Sequence, residues 1–216
     1  MHTPRGLLEL PYAEFLEPWS GPPEREGEYD GVHMNDVTVD EVTADNARFV
    51  ESALSAVTFA GGRLRHTRFN DVWMHAVRWS GTDMVRSVWV DAELVGNALS
   101  GVALFDSEMS RVTFFNCRFD VVNLRATTLR DVVFVDCLLR EVDLAGAKFT
   151  RVSFPGSTLD KVHLSGATLT DVDLRGAESI TLLDGAESLR GAVISPAQLV
   201  ELALPFAHAL GVKVAD

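Results

Sequence analysis

The sequence predicts a solenoid, a fold in which short repeated units stack along one axis. A large apolar residue occupies every fifth position from Met34 to Leu174, through about 29 units without insertion or deletion, and only Ala44 lacks the large side chain. A period of five fits neither the 3.6 residues of an α-helical turn nor the alternation of a half-buried strand. A fixed repeat of this length is typical of units that bury one face against stacked neighbours.

A second apolar position is locked to the first. The residue two places before each large one is small or β-branched, and from Val102 onward Val alternates with Ser, Cys, Thr or Ala. The alternation gives a ten-residue sub-period inside the five-residue repeat. The remaining three positions of each unit are mostly polar, so we expect them to face solvent.

Several units resemble those of the pentapeptide repeat family, among them Val142–Gly146, Ala147–Arg151 and Val172–Gly176. The resemblance implies an all-β fold, a right-handed quadrilateral β-helix with one unit on each side and twenty residues in each coil. The ten-residue sub-period agrees with four sides, because opposite sides would then match. About 29 units make about seven coils, roughly 35 Å of rod at a strand spacing of about 4.8 Å.

The repeat divides the chain into three parts. Residues 1–31 are rich in Pro and Glu and are predicted to form an N-terminal arm or cap, with partner binding as the alternative. An apolar cluster within them could cover the open first coil: Tyr12, Phe15, Leu16 and Trp19. Residues 32–178 form the β-helix, and residues 179–216 form an irregular turn followed by an α-helix.

The C-terminal helix has clear boundary signals. Ser195 suits the N-cap, Pro196 the first helical position, and Gln198 completes a capping box, whereas Pro205 should kink the helix. We expect one apolar face, made of Leu199, Leu202, Phe206 and Leu210. This face could cap the last coil, form a homodimer, or do both.

Two pairs of residues inside the predicted coil are unusual. Trp79 and Trp89 share the third coil with two methionines, and two indoles should overfill it. We therefore expect local widening or an indole turned outward. Cys117 and Cys137 are one coil apart in the small inward position, where a disulfide is geometrically permitted. Buried thiols that act as small apolar fillers are the favoured interpretation.

The sequence contains no motif that indicates catalysis. The histidines lack the spacing of metal ligands, and neither a glycine-rich phosphate loop nor a nucleophile elbow occurs. We therefore predict a non-enzymatic protein without cofactor, metal or catalytic residues. No apolar run is long enough to cross a membrane, and the chain begins without a secretory signal, so a cytoplasmic location is expected.

The net charge of −12 is spread unevenly along the chain. Residues 1–31 hold seven acids and two bases, residues 177–216 hold five and two, and the coil between them holds 19 and 15. This balance opposes direct nucleic-acid binding. The gyrase-binding branch of the family (MfpA and the Qnr proteins) imitates DNA with a negative rod, and a mixed coil surface favours that function less than the total charge suggests.

One side of the predicted square carries an apolar stripe. On the side centred on Met74, Leu94, Phe114 and Phe134, the outward positions include Trp73, Val95, Phe115, Val133 and Val135. Exposed apolar patches usually mark an interface, although a terminal arm folded over them is the alternative. We therefore predict that the protein functions through protein–protein contact and forms a homodimer. The alternative is that it mimics DNA and binds DNA gyrase.

Overall fold

The computed structural model describes residues 3–215 as a parallel β-solenoid of about eight turns with two short C-terminal helices. The predicted fold class is confirmed. The strands are β1 (Glu17–Trp19), β2 (Glu28–Asp30), β3 (Val32–Asn35), β4 (Thr38–Asp40), β5 (Arg48–Val50), β6 (Ala53–Ser55), β7 (Thr58–Ala60), β8 (Arg68–Asn70), β9 (Trp73–His75), β10 (Arg78–Ser80) and β11 (Val88–Val90). They continue as β12 (Glu93–Val95), β13 (Ala98–Ser100), β14 (Glu108–Phe115), β15 (Arg118–Asp120), β16 (Thr128–Val135), β17 (Leu138–Arg140), β18 (Lys148–Thr150), β19 (Thr158–His163), β20 (Thr168–Thr170) and β21 (Ser179–Asp184).

Strands that stack on one another are twenty residues apart, as a four-sided coil requires. Trp79 lies beside Phe59 and Leu99, and Leu94 lies beside Met74 and Phe114. One side is an eight-stranded sheet from β4 to β21, which gives one turn more than the seven expected. The opposite and adjoining sides are a thirteen-stranded sheet and a ladder of single bridges that begins at Thr43 and Arg63.

The two tryptophans of the third coil both point inward, so the expectation of an outward indole is wrong. Trp79 stacks almost parallel on Phe59 and Trp89 stacks on Phe69, each pair with ring centroids 4.1 Å apart. A flat indole occupies only one layer of the stack, and the flexible Met74 side chain can adjust to it. Trp89 Nε1 donates to Ser87 Oγ at 2.8 Å.

Polar members of the small inward position brace neighbouring coils. Ser157 Oγ accepts the Cys137 amide at 2.9 Å and donates to the Phe134 carbonyl at 2.8 Å. Ser107 makes the same pair of contacts with Ser87 and Met84. These hydroxyls satisfy backbone groups at the corners, where the strand ladder is interrupted.

Cys117 and Cys137, which occupy the small inward position of their units, are free and buried. Both thiols donate to backbone carbonyls: Cys117 Sγ to Leu94 and Cys137 Sγ to Phe114. Burial raises the pKa of the Cys117 thiol, so this thiol stays protonated at neutral pH. The favoured interpretation of the pair as fillers agrees with this geometry.

At most corners of the coil, the residue two places after the inward-facing residue has the left-handed backbone conformation. Among the glycines at this position, Gly146, Gly156 and Gly166 have positive φ, whereas Gly176 does not. Most corners carry another residue, and Val121 holds φ near 53° despite its branched side chain. A left-handed conformation costs a non-glycine residue about 1–2 kcal/mol, which the ladder on both sides offsets.

Residues outside the five-residue repeat pack on both ends of the coil. At the N-terminal end, β1 and β2 precede residue 32, yet they pair with β3 and β5, and Trp19 packs edge-to-face on Tyr29. At the C-terminal end, helices α1 (Pro196–Glu201) and α2 (Ala203–Ala209) cover the last turn. The break lies at Leu202 because Pro205 has no amide hydrogen to donate to the carbonyl four residues earlier.

The predicted capping box fixes the first helix to the coil. Gln198 N donates to Ser195 Oγ at 3.2 Å, and Ser195 N donates to Gln198 Oε1 at 2.8 Å. The same buried Gln198 donates from Nε2 to the carbonyls of Leu174 and Ala177. One side chain therefore caps the helix and also satisfies carbonyls at the end of the coil.

Replacing Gly62 with Ala should destabilise the coil far more than replacing Gly81. Both glycines have positive φ, but a Cβ on Gly62 would lie 2.5 Å from Val42 N and O, whereas one on Gly81 meets nothing within 4 Å. We expect losses of about 2–4 kcal/mol for Gly62→Ala and about 1 kcal/mol for Gly81→Ala. Urea unfolding followed by circular dichroism measures both, and equal losses would contradict the clash.

Candidate interaction surfaces

The five residues of the predicted apolar stripe lie on one side, as the register requires. Trp73 and Val133 belong to one outward column, and Val95, Phe115 and Val135 to the other, with the inward column between them. Their exposure differs from the expectation, because Trp73 is only 5% exposed and Phe115 only 3%. The three valines are half-buried. Val95, Phe115 and Val135 are consecutive in their column, whereas Glu93 and Thr113 separate Trp73 from Val133 in the other. The stripe is therefore interrupted and not openly exposed.

An N-terminal segment, residues 3–16, covers Trp73. Leu10 and Tyr12 are buried together with Ala53 and Trp73, and burial raises the pKa of the Tyr12 hydroxyl. This packing corrects the expected position of Tyr12, which lies on the side of the coil and not over its open end. Of the other three residues in that cluster, Leu16 is half-buried against the same side, Trp19 packs on the first layer, and Phe15 is exposed.

Polar contacts hold the same segment in place. Trp73 Nε1 donates to the Arg5 carbonyl at 3.1 Å, and the Glu93 carboxylate accepts the Arg5 amide at 2.6 Å and the Arg5 Nε at 2.8 Å. Glu93 is buried, so these charge-assisted bonds compensate for its loss of water. No local sequence pattern indicates this contact, because Arg5 and Glu93 are 88 residues apart.

The four residues of the predicted C-terminal face do not share one face. Leu202 is fully buried and Phe206 packs against the core, whereas Leu199 and Leu210 are 53% and 80% exposed. The break at Leu202 rotates the second helix, so a single helical period cannot describe both. The expectation of one continuous apolar face is therefore corrected.

The exposed C-terminal residues form a larger set than the sequence indicated. Val200, Val212 and Val214 are also exposed. We call Leu199, Val200, Leu210, Val212 and Val214 the C-terminal apolar surface. Three of its members, Leu210, Val212 and Val214, follow the second helix, and helical periodicity does not predict the exposure of residues beyond a helix.

Most ion pairs on the coil join adjacent layers, and Arg175 with Asp173 is a pair within one unit. Arg140 pairs with Asp120 at 2.8 Å, and Arg111 pairs with Asp91 at 2.6 Å, in each case across twenty residues. These guanidinium groups lower the pKa of Asp120 and of Asp91. The surface has mixed charge, as predicted from composition, and we call its ion pairs between adjacent layers vertical ion pairs. They cancel much of the electrostatic field along the rod.

The described residues offer little chemistry beyond these surfaces. Across residues 3–215, no group of three or more His, Cys, Asp or Glu side chains is arranged to hold a metal ion. Within the same range, no helix is both long and apolar enough to span a membrane.

The five-residue repeat, its twenty-residue coil and a match to a known family model agree. The model of the pentapeptide repeat region matches residues 87–164 and again residues 107–179. Over residues 87–179 the chain therefore matches the pentapeptide repeat family. No curated protein sequence matches this chain.

Solved structures of pentapeptide repeat proteins are similar to the chain at low identity. HetL, involved in heterocyst differentiation regulation in the cyanobacterium Nostoc sp. strain PCC 7120, is 17% identical, with 89% of this chain and 98% of HetL covered and a TM-score of 0.47. QnrB1, a plasmid-mediated fluoroquinolone resistance protein, is 14% identical, with 91% and 100% covered and a TM-score of 0.41. A protein of the Arabidopsis thaliana thylakoid lumen is 16% identical, with 59% and 72% covered and a TM-score of 0.28.

Glu93→Gln should loosen the N-terminal segment. A neutral amide loses the charge-assisted bonds to Arg5, and bonds of this kind contribute about 1.5–3 kcal/mol each. We expect trypsin to cleave after Arg5 at least about tenfold faster, since each 1.4 kcal/mol changes an opening equilibrium tenfold. Mass spectrometry of timed digests measures the rate. Glu108→Gln, at an exposed acid, is the control, and equal rates for both variants would contradict this anchoring.

The vertical ion pairs should make stability fall in acid. The pKa of Asp91 is lower in the folded protein than its ordinary value of about 3.9. The pair with Arg111 therefore stabilises the fold above that value and stops doing so as the pH falls through the folded pKa. Arg111→Met should narrow the difference between urea midpoints at pH 7 and pH 3. Arg68→Met is the control, and an unchanged difference in Arg111→Met would contradict the expectation.

Proposed function

We propose that this chain is a non-enzymatic binding protein that acts through protein–protein contact and forms a homodimer. The observation that carries the proposal is the C-terminal apolar surface, where Leu199, Val200 and Leu210 are all more than half exposed. Large apolar side chains gathered at one end of a rod are costly in water unless a partner covers them. A second copy offers the same surface, which suits a two-fold contact.

The apolar stripe supports a partner-binding role less directly. A partner that reached Trp73 would first have to displace residues 3–16, which are held by Glu93. The half-buried valines Val95, Val133 and Val135 remain accessible as a smaller contact. We therefore place dimerisation at the C-terminal end and treat the stripe as a secondary surface.

DNA mimicry directed at DNA gyrase is the alternative function. Its support is the net charge of −12. The vertical pairs of Arg86 with Asp106 and of Arg151 with Asp131 weigh against it, because a DNA mimic requires an uninterrupted negative field. Inhibition of gyrase supercoiling, or protection of gyrase from a fluoroquinolone, would make mimicry the leading function. A cytoplasmic location stays a prediction.

The double variant Leu199→Asp, Leu210→Asp should be monomeric. Two carboxylates in a desolvated contact oppose association, and each mutation site is already exposed, so folding should be retained. Analytical ultracentrifugation should show the wild type as a dimer and the double variant as a monomer with an unchanged circular dichroism spectrum.

The matched control is Leu8→Asp, at a leucine that is 90% exposed in the N-terminal segment. It adds an acid to an equally apolar, exposed position outside the C-terminal apolar surface. This variant should remain dimeric. A wild type that is monomeric at high micromolar concentration, or a dimer that survives the double substitution, would overturn the proposed contact.

A further inference from the structure

The first layer of the coil is one side short. β1 pairs with β3 across fifteen residues, as Trp19 beside Met34 shows, whereas β3 pairs with β6 across twenty. Trp19 stacks on Met34, and Tyr29 stacks on Phe49. The two residues of the first layer are ten residues apart in the chain, whereas their partners in the next layer are fifteen apart. One five-residue unit is therefore missing, and the missing side is the one that would lie on β4.

The edge of β4 is consequently open. In the next layers, Thr58 N donates to Val37 O at 2.8 Å and Ser80 O accepts from Gly61 N at 2.7 Å. The equivalent groups of β4 are Thr38 N–H and Asp40 C=O, and neither has a backbone partner within residues 3–215. These groups point out of the end of an eight-stranded sheet, the arrangement that accepts an added strand.

The adjacent segment of the chain is built so that it does not fill this edge. Pro22 and Pro23 have no amide hydrogen to donate, and Glu24 N donates to Tyr29 Oη at 2.7 Å. The chain rejoins the coil only at Glu26, whose amide donates to the Asp45 carbonyl at 2.8 Å. A groove of about 430 Å³ remains, with the two prolines on one wall and Thr38 to Asp40 on the other.

The groove lies in the most acidic part of the molecule. Residues 20–46 contain eight acids and one base, Arg25, which pairs with Glu26. Glu24, Asp40 and Glu41 have no ion pair among the described residues. A negative rim attracts a positive partner and disfavours nucleic acid.

We propose that the edge of β4 docks a basic, extended segment of another protein as an added parallel strand that supplies the missing five-residue side. The central residue of the segment would face inward beside Val39, and the residues on either side of it would be Lys or Arg near Asp40 and Glu24. The site rests on the proposed function as a binding protein. It lies at the opposite end from the C-terminal apolar surface, so it can fail without affecting dimerisation.

A five-residue peptide that copies one unit of the coil tests the site. The probe is acetyl-Ala-Lys-Val-Lys-Gly-amide, titrated into the full-length protein and followed by the NMR shifts and hydrogen exchange of the Thr38 and Asp40 amides. We expect saturable binding with slower exchange of the Thr38 amide, because this amide gains an acceptor. The acidic peptide with Glu in place of both Lys should bind at least about tenfold more weakly.

The matched controls separate strand addition from simple charge attraction. A probe with N-methylvaline at its centre keeps charge and bulk but cannot donate to the Thr38 carbonyl, so it should not bind. Thr38→Pro removes an amide hydrogen that the β4–β7 ladder does not use, and this variant should fold and lose the probe. Asp40→Lys should weaken binding, whereas Glu108→Lys, on another side, should not.

Three outcomes would overturn the proposal. The first is no saturation by the basic probe at millimolar concentration. The second is equal binding of the N-methylated probe, which would mean charge attraction alone. The third is self-association of the wild type that Thr38→Pro abolishes, which would place a second copy at this edge. Dimerisation through the C-terminal apolar surface, measured with Leu199→Asp, Leu210→Asp, reports separately on the proposed function.

Discussion

Each layer of this coil depends on backbone hydrogen bonds to layers twenty residues away in both directions. The amide of Arg78, for example, donates to Val57 behind it, and the amide of Gly81 donates to Ser100 ahead. No unit can satisfy these groups by itself, so stability belongs to the stack and not to any single coil. The same dependence keeps the register uniform, because one inserted residue would turn every inward side chain of that side outward.

The layer at each end of the stack has a neighbouring layer on one side only, so its outer backbone groups lack ladder partners. The two ends satisfy these groups differently. At the C-terminal end, Gln198 donates to the carbonyls of the last turn, and Leu202 closes the core. At the N-terminal end, β1 and β2 cover two sides, while the side above β4 stays open. Exposed apolar residues lie at the C-terminal end, and the acidic groove lies at the N-terminal end. Between the two ends, most of the ion pairs join adjacent layers.

The N-terminal segment shows how the coil can present or conceal a surface. Trp73 would be a large exposed aromatic side chain on a flat sheet without Leu10 and Tyr12 above it. The segment is held mainly by Glu93 and by apolar contact, so its opening requires less free energy than unfolding of the coil. The side of the coil is therefore accessible only to a partner that competes with residues 3–16.

The sequence alone determined the fold, the inward column, the twenty-residue coil and the cap at Ser195, because each follows from a strict local period or a local capping pattern. It also indicated that the two cysteines would stack and that the coil surface would carry mixed charge. Only the tertiary structure decided which apolar residues are exposed. Burial of Trp73 and of Leu202 depends on contacts between distant segments, and the break before Pro205 changes a face that periodicity treats as continuous. The open edge of β4 was equally invisible, because a missing side appears only when the first layer is compared with the one stacked on it.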